Sequence, residues 1–415
     1  MSRDRHGAGA TPEAVFVSGP PREYRVFIVA GEHSGDALGG KLMSALNRRL
    51  KGRVRYLGVG GESMAAAGLS SQFPLSEVAV MGPLSILRRL PSIVRRVYQT
   101  VDAALAAEPD VVVIIDSPEF THPIARRIRR RRPEIPVVDY VSPSVWAWRP
   151  GRARGMKRYV DHVLALLPFE PAVHARLGGP PCTYVGHPLI ERLDWLGALD
   201  PAPLVERLGL DRARPVLVVL PGSRRSEVAK LMQPFGETIG RLQEGSHMLQ
   251  VVLPAVAHLR AEIAAAVASW PVAVHLVEGE EDKFRAFKLA RAALAASGTV
   301  TLELALAGTP MVVAYKVDAV AARLRFLLKV HSVVLANLVL GENVFPELLQ
   351  EECEPGKLAR ELDLVLRDTP ERARQLSALA RVPAMLVVEG TSPSEAAAAI
   401  VHRLAEAGRP PPVAG

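Results

Sequence analysis

Short runs of β-branched and aliphatic residues recur along the chain, each followed by a longer stretch in which apolar positions return every three or four residues. That alternation predicts βαβ units and parallel sheets. In the first half the predicted strands are VFIVA (26–30), YLGVGG (56–61), VVVIID (111–116), VVDYV (137–141) and HVLALLP (162–168). The pattern restarts after LDPAP with VLVVLPGS (216–223), LQVVLPAV (249–256), VAVHLVEG (272–279), AALAASG (292–298) and MVVAYKV (311–317). These strands carry polar residues only at their C-terminal ends, so both faces of each sheet must be covered. The expected fold class is α/β, with two Rossmann-like, doubly wound parallel-sheet domains facing a cleft and ligands held where the strand C-termini point. The expected divisions are a disordered leader (1–24), an N-terminal domain (25–195), a C-terminal domain (196–385) and a C-terminal helix and tail (386–415), with the sheet-to-sheet boundary between residues 190 and 212. No fixed-period repeat is visible.

Composition narrows this picture. At 415 residues, with 49% hydrophobic and 23% charged positions, the chain can fill two cores and is not a disordered polymer. Two cysteines, Cys182 and Cys353, make neither a disulfide framework nor a metal cluster and fit a reducing cytosol. No stretch approaches the ~20 apolar residues of a spanning helix, and the N-terminus lacks the apolar core of a secretory signal. A net charge of +8 and a pI near 9.7 favour an anionic partner: nucleic acid, a phosphorylated substrate or an anionic membrane. Arginines crowd residues 126–132 and flank LRRLPSIVRRV at Arg88, Arg89, Arg95 and Arg96. Few aromatic residues accompany them and no reader motif is present, which disfavours nucleic acid.

Candidate chemistry sits at the strand ends. LPGSRRSE follows a strand and opens a helix, so Gly222 and Ser223 can offer N–H groups and Arg224 a cation to a diphosphate. The competing reading is a helix cap at Ser223 or Ser226. ASGTVTLE repeats the logic with Ser297, Gly298 and Thr299. Glu303, four residues after Thr299, shares its helix face and can accept both hydroxyls of a ribose; a capping box is the alternative. Asp116 ends the strand before DSPEF, where general bases are found, unless it only caps the next helix. Trp146 and Trp148 in YVSPSVWAWRPGR pack beneath a loop or touch ligand, and His187 is structural or lines the cleft. The first-half turn, AGEHSGD, carries Glu32 and Asp36, which repel phosphate, and it lacks the full G-x-G-x-x-G fingerprint.

The ordered blocks AGEHSGD, VMGPLSIL, IDSPEF, YVSPSVWAWRPGR, LPFE, VGHPL, LPGSRRSE, ASGTVTLE, PMVVAYK and LANLVLGENVFPELLQ resemble the lipid-A-disaccharide synthase family over residues 26 to 360. The resemblance implies the two-Rossmann GT-B architecture and an inverting transfer from UDP-2,3-diacylglucosamine to 2,3-diacylglucosamine 1-phosphate, releasing UDP in lipid A biosynthesis. It makes Asp116 the catalytic carboxylate and puts Arg224, Ser297, Thr299, Glu303 and Asn337 on or near the nucleotide side. Glu32, Ser34, Gly35 and Asp36 then face the hydroxyls of the acceptor. The sequence departs from the family pattern in its longer leader, in Glu119 where DSPDF is expected, and in Ala336 where LPN is usual. None of these removes a chemical group the reaction needs.

No metal and no cofactor is expected. Acylated substrates imply a cytoplasmic enzyme resting on the cytoplasmic face of the inner membrane. Met81, Leu84, Leu87 and Leu90, interleaved with Arg88 and Arg89 and interrupted at Pro91, suit such an interface; an amphipathic helix packed on the sheet is the alternative. The C-terminal helix returns to the first half or crosses to a second subunit, and the resemblance adds weight to an intertwined homodimer. Rival readings are another UDP-sugar enzyme of this architecture, such as an N-acetylglucosamine transferase or 2-epimerase, a nicotinamide-dependent dehydrogenase, and a non-catalytic nucleotide-sugar or RNA-binding module.

Overall fold

The computed structural model describes residues 22–79, 83–245, 248–317, 330 and 332–408, with side chains left aside over 83–89. Two parallel sheets form. The first holds β1 (Tyr24–Ala30), β2 (Val54–Val59), β3 (Ser70–Ser71), β4 (Val111–Ile115), β5 (Val137–Tyr140), β6 (His162–Ala165) and β7 (Cys182–Tyr184), in the order β3-β2-β1-β4-β5-β6-β7. The second holds β8 (Val216–Leu220), β9 (Gln250–Pro254), β10 (Val274–Val277), β11 (Ala290–Ala296), β12 (Met311–Tyr315) and β13 (Glu347–Leu349), in the order β10-β9-β8-β11-β12-β13. Counted within its own half, the second sheet runs 3-2-1-4-5-6 and the first runs the same with a seventh strand added at its edge, the doubly wound order whose switch point lies between local strands one and four.

Side-chain alternation explains why both faces are dry. In β1, Val26, Ile28 and Ala30 enter one core while Phe27 and Val29 enter the core on the opposite face. In β8, Val216, Val218 and Leu220 face one core and Leu217 and Val219 the other. Each fully buried side chain of this size contributes about 1.5–3 kcal/mol of transfer free energy.

The ten predicted strands are all present, with ends displaced by up to three residues: Tyr24–Ala30, Val54–Val59 and Ala290–Ala296 start two residues early, and His162–Ala165 and Val216–Leu220 stop three residues early. Sequence reading passed over β3, β7 and β13, which are two or three residues long and lie outside the sheet centres. Runs that short carry no period to detect.

A further difference concerns one helix. The helix Pro83–Ala107 runs through Pro91 without a break, where an interruption was expected. The helix Pro393–Ala407 lies on the helix His33–Arg49, and Ala397, Ala398, Ile400, Val401 and Ala405 join the core that contains Tyr24 and Val26. Glu191, in the connection between the sheets, fastens that arrangement: one oxygen accepts from Ser394 N at 2.9 Å and the other pairs with Lys41 Nζ at 2.8 Å. No helix among the described residues is long and apolar enough to cross a membrane.

Candidate active site

At the first sheet's switch point, the backbone leaves β4 in an unusual way. Asp116 (φ 54°) and Ser117 (φ 44°) are consecutive non-glycine residues in the left-handed region, each costing on the order of 1 kcal/mol or more. The turn places the Asp116 side chain at the mouth of the cleft. Its Oδ1 accepts from Ser117 N at 2.7 Å and its Oδ2 from Ser34 Oγ at 3.3 Å. Ser34 reaches it because the turn after β1 passes close overhead: a Cβ on Gly31 would lie 2.4 Å from Ser117 Cβ. Burial pushes the Asp116 carboxyl above its ordinary range; the Ser117 N–H pulls against this, and the Glu32 and Asp139 carboxylates push it further up. A half-buried carboxylate with a raised pKa is a better proton acceptor than a solvated one.

The other residues expected on this side divide. Glu32 and Ser34 remain at the surface of the site, whereas Gly35 packs under β4, where a Cβ would lie 3.2 Å from Ile115 O. Asp36 is corrected. Its carboxylate is buried and accepts from Gly61 N at 2.7 Å, Ser63 N at 2.9 Å and Met64 N at 3.1 Å. It caps the helix Glu62–Ala66 and is not available to a sugar. His187 is likewise buried, with Nδ1 accepting from Leu189 N at 3.3 Å, and desolvation lowers its pKa to about 4.

At the second sheet's switch point, Gly222, Ser223, Arg224, Ser297, Gly298, Thr299 and Glu303 line one cavity of about 350 Å³ together with Glu227 and Lys283. Larger hollows exist elsewhere, including one of about 770 Å³ along the helix Arg225–Glu244, but none of them gathers these strand ends. Within the cavity the two helix beginnings differ. Glu227 Oε2 accepts from Ser223 N at 3.1 Å and Arg224 N at 3.2 Å. Those N–H groups, expected to face a diphosphate, already serve a carboxylate. Gly222 (φ 105°) permits the closure, since a Cβ there would sit 2.4 Å from Glu227 Oε2.

The Arg224 guanidinium also bonds Glu227, at 3.0 Å, yet its side chain stays more than half exposed. At the second beginning, the N–H groups of Gly298, Thr299 and Val300 have no protein acceptor among the described residues. Ser297 Oγ donates to Val333 O at 2.8 Å. Glu303 is gripped by Lys283 Nζ, 2.9 Å from each carboxylate oxygen; with about two lone pairs per oxygen it can still accept from hydroxyls.

Asn337 is also corrected. It is fully buried, its Nδ2 donating to Phe345 O and Glu347 Oε1 and its Oδ1 accepting from Val344 N and Phe345 N, all at 3.0 Å. Glu347 in turn accepts from Val333 N at 2.9 Å, so Asn337 acts two steps behind the segment that receives the Ser297 hydroxyl.

Sequence reading missed Glu227, which closes back on the N–H groups of Ser223 and Arg224 at the start of its own helix. It also missed Lys283, which lies twenty residues from Glu303 and left no local trace. Of the tryptophans, Trp146 is tucked in and donates from Nε1 to Glu170 Oε1 at 3.1 Å, while Trp148 is exposed. Among the arginines of 126–132, Arg126 stacks on Tyr159, Arg127 on Tyr98, and buried Arg129 pairs with Asp161. Among the described residues no group of three His, Cys, Asp or Glu side chains is arranged to hold a metal ion.

The two switch points are joined by charge. Desolvation opposes the cationic form of Arg224, while the Glu227 carboxylate and, further out, Glu32 favour it, so Glu32 acts on both Arg224 and Asp116. Two like-wound sheets facing across such a cleft, a carboxylate on one side and an anion-accepting cavity on the other, are the GT-B class of glycosyltransferase fold.

Solved structures agree on the architecture. A UDP-GlcNAc 2-epimerase from Neisseria meningitidis aligns with a TM-score of 0.61 at 14% identity, covering 92% of this chain and 100% of that one. A glycotransferase of kitacinnamycin aligns at 0.58 and 16% identity, with the same coverage. At those identities only the fold is shared. Residues 26–401 match the family model described as lipid-A-disaccharide synthetase. The lipid-A-disaccharide synthase of Nitrobacter hamburgensis is 56% identical, over 93% of this chain and 97% of its own length. That of Bradyrhizobium diazoefficiens is 51% identical, over 95% and 100%. The chain belongs to the lipid-A-disaccharide synthase family, and is thus a hexosyltransferase of lipid A biosynthesis rather than an epimerase or a dehydrogenase.

Proposed function

We propose that the chain condenses UDP-2,3-diacylglucosamine with 2,3-diacylglucosamine 1-phosphate, giving the β(1→6)-linked disaccharide 1-phosphate and UDP in one inverting displacement. The observation that carries this reading is that Glu32, whose charge acts on Asp116, also acts on Arg224 in the cavity that holds Gly298, Thr299 and Glu303. Asp116 takes the proton of the acceptor's primary hydroxyl as its oxygen attacks the anomeric carbon from the face opposite the diphosphate. Charge grows on the departing β-phosphate, where the Arg224 guanidinium and the N–H groups of residues 298–300 stabilise it. The Glu303 carboxylate, held in place by Lys283, receives the ribose hydroxyls. The test is to incubate the protein with the UDP-sugar and follow UDP release with and without the acceptor. Release that requires the acceptor supports the reading, and absence of release with both substrates present ends it.

The acyl chains require a lipid surface. Met81 lies outside the described residues, as do the side chains of Leu84, Leu87, Arg88 and Arg89. The next turns of the same helix expose Leu90 (46%), Val94 (43%) and Tyr98 (45%) at four-residue spacing, with Arg95 beside them. An apolar stripe edged by arginines suits an anionic interface. Replacing Leu90 and Val94 with serine should lower sedimentation with anionic vesicles severalfold; unchanged binding would remove the helix from the interface.

A further inference from the structure

The loop that leaves β5 is held more firmly than the fold requires. β5 lies directly beside β4, with Ile115 paired to Tyr140, so this loop starts next to Asp116. Its first residue, Val141, has φ 85°, a conformation that β-branched residues avoid. Two buried ties then fix it. Ser142 Oγ lies 2.8 Å from His174 Nε2, and Trp146 Nε1 donates to Glu170 at 3.1 Å. Glu170 and His174 are four residues apart on one face of the helix Glu170–Leu177, and their partners are four apart in the loop, so the ties form parallel rungs. The second oxygen of Glu170 accepts from Leu166 N and Leu167 N. The loop is therefore set before any ligand arrives.

What the loop presents is cationic. Trp148 is exposed, with the Arg149 guanidinium stacked 4.1 Å over its ring. Arg149 is itself exposed at φ 52° and has no acidic partner among the described residues. Arg152 follows, its N–H donating to Arg149 O at 2.9 Å and its guanidinium to Glu119 at 2.9 Å. Glu119 stands three residues beyond Asp116, in the first turn of the helix Pro118–Arg131. The reacting hydroxyl and the phosphate of a hexose 1-phosphate lie on opposite sides of one sugar ring, so a hydroxyl held at Asp116 sends the phosphate away from that carboxylate. Asp116, Glu32 and Glu119 would all repel it there. Arg149 and Arg152 are the neighbouring cations that can receive it, and guanidinium groups suit a phosphate monoester.

We propose that the loop 142–152 is the subsite for the acceptor's phosphate monoester, with Arg149 and Arg152 as its cations and Glu170 and His174 as the residues that position it. This rests on the acceptor reading given above. Glu119 accepts from Arg152 and yields it to the phosphate.

The full-length protein is assayed for UDP release at saturating UDP-sugar, with either 2,3-diacylglucosamine 1-phosphate or dephosphorylated 2,3-diacylglucosamine as acceptor. The unaltered chain should prefer the phosphorylated acceptor in kcat/KM. Arg149→Ala/Arg152→Ala should lose roughly 10- to 100-fold on that acceptor and little on the other, erasing the preference, while UDP affinity by calorimetry stays unchanged and shows that the variant is folded. Glu119→Gln, which frees Arg152, should lower KM for the phosphorylated acceptor alone. Equal losses on both acceptors, or a preference that survives, would overturn the subsite. So would vesicle binding that falls while the preference persists, since the arginines would then serve lipid headgroups. If the unaltered chain released no UDP with either acceptor, the transferase reading itself would fail; release followed by a surviving preference rejects the subsite alone.

Discussion

Local strands one and four end at the same topological position in each sheet, yet the two halves use that position oppositely. In the first half the ends carry Glu32, Ser34 and Asp116, and the backbone is forced into left-handed turns to bring a carboxylate forward. In the second half they carry Arg224, Ser297, Gly298 and Thr299, and turns made by Gly222 and Gly298 at positive φ leave N–H groups and a cation available. One half concentrates negative charge that can accept a proton, and the other offers positive potential that can hold a leaving diphosphate. Even so, each half spends one acid on itself. Asp36 caps a neighbouring helix, and Glu227 caps its own. The comparison teaches that a charged residue in a strand-end turn says little about ligand until its backbone partners are known, because N–H groups of the protein compete for the same carboxylates.

The largest test of this contrast is Asp116→Asn. It should cut kcat by about 10²- to 10⁴-fold while leaving UDP affinity, measured by calorimetry, within about twofold; near-normal turnover would deprive the first half of its role. Arg224→Ala should do the reverse, weakening UDP binding by roughly 10- to 100-fold. A UDP affinity that did not change would move the diphosphate away from the second switch point.

Asp36→Ala leaves the N–H groups of Gly61, Ser63 and buried Met64 without this acceptor and should lower stability by about 1–3 kcal/mol in a urea titration, with KM for the acceptor unchanged in the folded fraction. A raised KM on an undiminished stability would return Asp36 to the acceptor site. The smallest effect is expected for Glu32→Gln. Asp116 must be ionised to accept a proton, so kcat/KM falls as pH drops through its raised pKa. Burial raises that pKa first and Glu32 adds to it, so removing the Glu32 charge should move the acidic limb to lower pH. A shift to higher pH would show that Glu32 does not act on Asp116 through its charge.

Much of this protein is written locally. Continuous apolar runs such as VVVII and VLVVL can only be strands covered on both faces, and glycine, serine and acidic residues just beyond them mark the ends of βα units; such signals need no distant partner. The cavity residues Gly222 to Arg224 and Ser297 to Glu303 were legible for the same reason, as was the carboxylate at Asp116. What the sequence could not specify is which charges pair. Lys283 meets Glu303 across twenty residues and Glu170 meets Trp146 across twenty-four. Asn337 and Asp36 look from the chain like ligand contacts and prove to be buried hydrogen-bonding posts. Propensity and periodicity act over a few residues, whereas a carboxylate is bound by whichever donor folding brings within 3 Å. Tertiary structure alone therefore decided which polar side chains were left facing the cleft.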